Sequence, residues 1–298
     1  MNKFEFNKVV IFGVGLIGGS FALALRKAGA VGEIVGFSRT QATLDQAVRL
    51  GIIDRKGEYL AKEVKDADLV LLAMPVGQMD KRLGGETGAT MDVIRSLIGP
   101  HTLVTDAGST KSDVVKVVRT LLGKKVAQFI PAHPIAGAEH SGPTAARADL
   151  YQGKKVVLTP LPENSADSVA RVRKAWELCG AVVSELTPQQ HDEVFAAVSH
   201  LPHLLSFALV HDLAQRKDRN VFLSFAASGF RDFTRIAASN PEMWRDISLA
   251  NRDALLLELK QYAAELYVLY QALENSDAPK LEEIFSEAQK LRSNWTQQ

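Results

Sequence analysis

"KVVIFGVGLIGGS", residues 8–20, decides the fold. Residues 8–12 are short, apolar and rich in β-branched side chains, which predicts a buried strand. The six residues that follow, Gly13-Val-Gly15-Leu16-Ile17-Gly18, match G-x-G-x-x-G. Residues 16–28 then predict a helix that stops near Gly29. A strand, a glycine turn and a helix in that order are the context in which the motif signals dinucleotide binding. Gly13 permits the tight turn, Gly15 lets the backbone approach a pyrophosphate, and Gly18 lets the helix pack on the strand. The helix start, with Leu16 and Ile17 in its first turn, offers free N–H groups and a positive dipole end to phosphates. A glycine-rich turn with no ligand is the competing reading, and the βαβ setting counts against it.

The second strand, residues 33–37, ends in Ser38-Arg39-Thr40. Folds that bind NAD place an acid about 20 residues past the glycines to hold the ribose 2′-hydroxyl. This chain has a cation between two hydroxyls instead. Arg39 can pair with a 2′-phosphate that a carboxylate would repel, so NADP is favoured over NAD. A solvated Arg39, or one stacked on adenine, is the plainer alternative.

Further strands are expected at 68–74 (stopped by Pro75), 102–105, 127–130, 155–159 and 181–186, with helices at 40–50, 112–122 and 166–179. This alternation predicts an α/β Rossmann-type domain with one mostly parallel sheet covered on both faces. From Pro188 the strand signals vanish. Residues 188–216, 220–239, 241–275 and 278–293 all read as helices. A boundary near 186 follows, with an NAD(P)-binding domain over 1–186 and an all-α domain over 187–298. The helical part has large apolar faces for its size, which suits burial against a second copy of the chain.

The composition narrows the function classes. The chain has 298 residues, 46% of them apolar, and a net charge of +1. A real core can form, and nothing marks a general nucleic-acid binder. The lone cysteine, Cys179, rules out a disulfide framework and a cysteine-based zinc ribbon, so a cytoplasmic protein is expected. The N-terminal apolar stretch resembles a signal peptide, but its spaced glycines argue against that. No other apolar run reaches the roughly 18–20 residues of a membrane span, and no membrane partner is expected.

Ligands of open α/β sheets bind beyond the carboxyl ends of the strands. Three turns leave the sheet there: Met74-Pro75, Asp106 to Lys111 with Ser109, and His133 to Gly137. Ser109 and His133 are therefore expected near the nicotinamide. A histidine of ordinary pKa suits proton abstraction from a hydroxyl. From spacing alone a structural role for His133 stays nearly as well supported. His200 and His203 share a helix face at i and i+3. Zinc would need a third ligand that is not evident, so lining a substrate pocket is preferred. His101, His140, His191 and His211 read as surface or helix-face residues. In 229–247, Arg235 suits a substrate carboxylate, and Arg231 with Asp232 suits ion pairing.

The motifs GVGLIGGS, TDAGSTK, HPIAGAEHSG, SHLPH, SGFRDFTRIA and NPEMWRDI occur here in order. Together they resemble the prephenate/arogenate dehydrogenases of tyrosine biosynthesis, from about residue 8 to about 275. The resemblance implies a Rossmann domain joined to a helical dimerisation domain, an oxidative decarboxylation, and hydride transfer to NAD(P)+ without a metal. It implies that His133 takes or binds the C4 hydroxyl proton, with Ser109 at the same region. It also implies that His203 lies over the substrate, Arg235 holds a carboxylate, and Trp244 with residues 228–232 completes the pocket, with Arg231 and Asp232 as scaffolding. Some relatives add a chorismate mutase or regulatory ACT domain, and neither is expected in a chain that ends in helices. Ser38-Arg39 looks like the NADP-using members, many of which prefer arogenate, whereas His203 points to prephenate, so prephenate ranks first. A β-hydroxyacid dehydrogenase is a rival, weakened because no lysine lies between Lys174 and Lys217. A non-catalytic NADP sensor is another, and would need neither His133 nor Arg235.

Overall fold

The computed structural model describes residues 4–58, 60–74, 95, 97–137 and 140–295. Contacts divide it into two compact units, residues 1–251 and 252–298.

The first unit is organised by a parallel sheet. Strand β1 (Phe6–Phe12) pairs with β2 (Val31–Phe37) on one side and β4 (Leu69–Leu72) on the other. β3 (Arg55–Lys56) extends the β2 edge, and β5 (Leu103–Asp106) and β6 (Phe129–Ile130) extend the β4 edge. The order β3-β2-β1-β4-β5-β6 reverses direction between β1 and β4. That reversal opens a crevice at the carboxyl ends of β1 and β4. Val9 and Ile11 enter one core cluster while Val10 and Phe12 enter another. Both faces of β1 are thus buried, as its unbroken apolar run requires. Helices α1 (Leu16–Lys27), α2 (Gln41–Arg49), α3 (Leu60–Lys65), α4 (Ser112–Leu122) and α5 (Ala166–Leu178) provide the cover.

The expectation of one sheet is corrected. β7 (Ala132–Pro134), β8 (Lys155–Leu158) and β9 (Val182–Glu185) form a separate sheet, with β7 antiparallel to β8 and β8 parallel to β9. Pro131 lies between β6 and β7 and has no N–H to continue pairing with β5. The chain leaves the first sheet there, and its carbonyl accepts from Thr159 N at 2.9 Å. His133 is thereby placed opposite Val157.

The helix expected over 188–216 exists but is not uniform. α6 (Pro188–Phe195) runs through a π turn at Ala196–His200 into α7 (Leu201–Gln215). Pro202 cannot donate to Val198 O and crowds that carbonyl, which widens the turn before it. Thr187 and Gln190 close a capping box at its start. This 28-residue helix contains an 18-residue window of mean hydropathy 1.4, and is long and apolar enough to cross a membrane by length and composition alone. That corrects the count of apolar runs, because its apolar residues are interrupted by histidine and serine. Its buried His191, Asp192 and His200 hydrogen-bond to the rest of the first unit, as a helix built into the fold does.

Residues 220–239 form two short helices, not one. They are α8 (Arg219–Ser224) and α9 (Ser228–Thr234), followed by a 3-10 turn at Arg235–Ala238. The break falls at Ala227, whose backbone is extended, just before Gly229. The helix expected over 241–275 also divides, into α10 (Pro241–Ala250) and α11 (Arg252–Glu274). Asn251 marks the division, and its amide is bonded to Asp192 O and the His200 ring. The second unit consists of α11 and α12 (Ala278–Asn294), joined through Ser276 at φ 54. Leu256, Leu266, Tyr267, Tyr270 and Leu273 of α11 are exposed.

Candidate active site

The glycine turn after β1 admits no side chain at its first and last glycines. Gly13 has φ +95, and a Cβ there would meet Ala73 O at 2.4 Å. A Cβ on Gly18 would meet Gly13 O at 2.1 Å, so only glycine lets α1 sit this close to β1. Gly15 caps α1 with no side-chain bond, and no acid occupies the first helical turn. Leu16 and Ile17 rest on the core, and Ile17 O accepts from Tyr151 Oη at 2.6 Å. The first N–H groups of α1 are left facing the crevice with the helix dipole behind them, a fit for a pyrophosphate. Ala73 N bonds Phe12 O at 2.8 Å, which sets Met74 beside Gly13. Pro75 lies outside the described residues. Gly142, at the far end of the HPIAGAEHSG run, comes back against Gly15.

At the end of β2, Ser38 is half-buried and Arg39 exposed. Thr40 has a structural task, since its hydroxyl accepts from Thr43 N at 3.3 Å and caps α2.

A buried polar assembly holds the other two turns. Asp106, at the carboxyl end of β5, accepts from Gly108 N at 2.8 Å and Ala132 N at 3.0 Å. Its carboxylate also pairs with Lys111 Nζ, which donates in turn to Ala132 O at 2.8 Å. One ion pair thus clamps the Ser109 turn to the strand carrying His133. Lys111 N and Ser112 N both donate to Asp192 at 2.8 Å, so α6 caps α4. Ser109 is half-exposed between these anchors.

His133 is half-buried, packed edge-on against Phe195 and hydrogen-bonded to His191. Its pKa lies well below the ordinary 6.5, because burial disfavours the charged form, and Lys111 and any proton taken up by His191 or His200 oppose it further. The expectation of an ordinary pKa is corrected. The ring is neutral at physiological pH, the form a proton acceptor needs. His191, expected as a surface or helix-face residue, lies on a helix but is fully buried, and it is bonded to both His133 and Asp192. The helix carrying it lies against β7 and α4, which spacing along one helix cannot reveal. Asp106, Lys111, Asp192 and Asn251 were likewise not singled out. An acid and a lysine five residues apart in TDAGSTK are a signal for the first two, and the sequence holds no such signal for Asp192 or Asn251.

His200 is buried, its Nδ1 3.0 Å from Asn251 Nδ2, and its pKa is pushed down to about 4 by burial. His203 hydrogen-bonds Ser199 O through Nδ1 at 2.9 Å and stacks on Trp244 with ring centroids 3.6 Å apart. Both rings therefore meet Trp244, with His200 edge-on at 6.1 Å. Trp244 is buried, and among the described residues its indole N–H has no hydrogen-bond partner. Arg235 is exposed, and its charge helps depress the His203 pKa, after burial. Ser206 Oγ donates to Phe233 O at 3.1 Å, which ties the end of α9 to α7 and brings Arg235 to His203. Arg231 and Asp232 are exposed on α9. Among the described residues, no group of three His, Cys, Asp or Glu side chains is arranged to hold a metal ion.

The arrangement combines a nucleotide-shaped turn, a neutral imidazole, and a half-buried imidazole–indole stack with a guanidinium nearby. This is what removing a proton and a hydride from an anionic, ring-shaped alcohol requires.

The chain resembles known proteins along nearly its whole length. Residues 21–185 match "Prephenate dehydrogenase, nucleotide-binding domain" and residues 187–287 match "Prephenate dehydrogenase, dimerization domain". The chain is 33% identical to the cyclohexadienyl dehydrogenase of Zymomonas mobilis over 96% of its own length and 95% of the relative's. It is 34% identical to the prephenate dehydrogenase of Bacillus subtilis over 98% of this chain and 76% of that one. The crystal structure of Aquifex aeolicus prephenate dehydrogenase, in complex with hydroxyphenyl propionate and NAD+, superposes with a TM-score of 0.87. It shares 36% identity and is matched over 96% of this chain and 97% of that one. A Rossmann-type nucleotide-binding region followed by helices, matched nearly end to end, makes this chain a dehydrogenase of the prephenate dehydrogenase family.

Proposed function

We propose that this enzyme oxidatively decarboxylates prephenate to 4-hydroxyphenylpyruvate with NADP+ as the preferred acceptor. The observation that carries the proposal is His133 three residues past the carboxyl end of β6 in a nucleotide-binding sheet, on the strand clamped to the Ser109 turn. When bound, the nicotinamide accepts a hydride from the ring carbon that bears the hydroxyl. His133 takes the hydroxyl proton, and the O–H electron pair becomes the second bond of a carbonyl. The ring carboxylate then leaves as CO2, its bonding electrons enter the ring, and the phenolate oxygen recovers the proton from His133. Ser109 orients the hydroxyl. Arg235 holds a substrate carboxylate, His203 and Trp244 form the wall over the ring, and His200, Arg231 and Asp232 support that wall. Gly13, Gly15, Leu16, Ile17 and Gly18 hold the pyrophosphate, and Met74 lies at the nicotinamide end. Ser38 and Arg39 read the 2′-phosphate.

The functional division is placed near residue 186, a reading supported by family matches that end at 185 and begin at 187. A cytoplasmic homodimer is proposed. The match to a dimerization domain supports the dimer, as do the apolar side chains that α8 and α11 expose, Phe222, Tyr267 and Leu273 among them.

The second reading is arogenate or dual cyclohexadienyl oxidation, favoured by Ser38-Arg39 and by the name of the Zymomonas relative. Steady-state kinetics with prephenate and arogenate, each with NAD+ and NADP+, separate the two readings. Prephenate with NADP+ is expected to give the highest kcat/KM. His133→Asn is expected to lower kcat by about 10²–10⁴-fold while NADP+ still binds. An unchanged kcat removes His133 as the base.

A further inference from the structure

The inner ends of three side chains are joined in series. Asp192 Oδ1 lies 2.9 Å from His191 Nδ1, and His191 Nε2 lies 2.8 Å from His133 Nδ1. The protons in this chain can be placed by chemistry. A carboxylate only accepts, so His191 Nδ1 carries the proton in the first bond. A neutral His191 then has a bare Nε2, which accepts, so His133 Nδ1 must donate. What remains on His133 is a bare Nε2 at the outer end of the chain.

We propose that His191 and Asp192 are positioning residues that hold His133 as its Nδ1–H tautomer and leave Nε2 as the proton acceptor. The proposal rests on His133 being the base. It adds which nitrogen accepts, and which residues decide this.

The surroundings support each assignment. Burial alone would raise the Asp192 carboxyl, but bonds from His191, Ser112 and Lys111 outweigh it and hold Asp192 ionised. Burial lowers the His191 pKa despite Asp192, so His191 is neutral. Asp192 is itself fixed by Lys111 N and Ser112 N, at the foot of the Ser109 turn. The relay is therefore anchored to the turn that orients the substrate hydroxyl. When Nε2 takes a proton, the new imidazolium charge faces a hydrogen-bond acceptor backed by a carboxylate. Orientation and tautomer control of this kind are how a buried acid assists a histidine base.

Imidazole ¹⁵N NMR on the full chain tests the proposal, with His133 identified by the resonances lost in His133→Asn. At neutral pH the wild-type protein is expected to carry the His133 proton on Nδ1. A wild-type proton on Nε2 overturns the proposal without any variant. In His191→Phe the proton is expected to move to Nε2, with kcat falling about 10–100-fold and KM within twofold. His191→Gln offers a carbonyl to Nδ1–H and is expected to recover part of kcat. His133→Asn with His191→Phe is expected to be no slower than His133→Asn alone, because His191 acts only through His133. Additive losses in that pair overturn the relay. If His191→Phe does not fold, the wild-type tautomer and the kcat of Asp192→Asn decide. Full activity in His133→Asn would instead overturn the base itself, whatever the tautomer shows.

Discussion

The imidazole of His203 lies flat on the indole of Trp244, with ring centroids 3.6 Å apart and planes 20° apart. The stack joins α7 to α10, and it leaves the buried indole N–H without a partner among the described residues. A buried donor in that state is costly unless something meets it. A substrate oxygen over the stack would do so.

Trp244→Phe keeps an aromatic face and removes only the donor and part of the ring. The expected result is a roughly tenfold loss in kcat/KM, the value of one hydrogen bond of about 1–1.5 kcal/mol. Steady-state kinetics beside a thermal melt check this. If kcat/KM holds while the melt shifts, the indole N–H serves the fold alone.

The ring-stack residues were legible only in part. NPEMWRDI and SHLPH drew attention to Trp244, His200 and His203, but spacing says nothing of which ring meets which. The glycine turn was fully legible, because a positive φ at Gly13 and a backbone approach at Gly18 leave one residue type possible. His191 was not legible. Its burial is set by where α6 lies on α4 and β7, a tertiary fact that helical periodicity does not contain. The same reason accounts for Asn251, whose side-chain bonds to Asp192 and His200 divide a helix that pattern alone continues. Pro131 was a readable signal of a sheet change, since a proline between two short strands cannot continue the ladder.

Arg39 is exposed at the end of β2. Arg39→Asp is expected to lower kcat/KM with NADP+ and raise it with NAD+, because a carboxylate repels the 2′-phosphate and binds the 2′-hydroxyl. Kinetics with both cofactors at saturating prephenate read the switch. Unchanged cofactor preference would place 2′-phosphate recognition elsewhere.

Lys111 and Asp106 are both fully buried, and their ion pair joins two turns of the site. Lys111→Met would fill a similar volume but leave the Asp106 carboxylate unpaired. The expected cost is about 3–5 kcal/mol, the usual result of removing one partner from a buried pair. Lys111→Met with Asp106→Leu is expected to restore part of that stability without restoring activity, since the clamp on Ala132 is also lost. Denaturant titration and kcat measured on both variants check the two halves. Equal stability in the single variant would show that the pair does not hold the turns.

The pKa of His200 is depressed to about 4, and that sets a pH window for stability. Burial is the main cause, Asp192 opposes it, and any proton taken up by His191 or His203 adds to it. The unfolded chain takes up this proton near pH 6.5, whereas the folded chain resists until about pH 4. Above 6.5 both states are neutral and nothing is lost. Between 6.5 and 4 the unfolded state binds more protons, so stability falls as pH falls, by about 1.4 kcal/mol per unit for one such group. His133, His191 and His203 are depressed as well and steepen the slope. His200→Gln keeps a partner for Asn251 and cannot titrate. Its stability, followed by urea unfolding from pH 7.5 to 4.5, is expected to fall with a slope smaller by about one proton than that of the unaltered chain. Parallel slopes would mean that His200 is protonated in the folded protein at these pH values, contrary to its burial against Asn251 and Trp244.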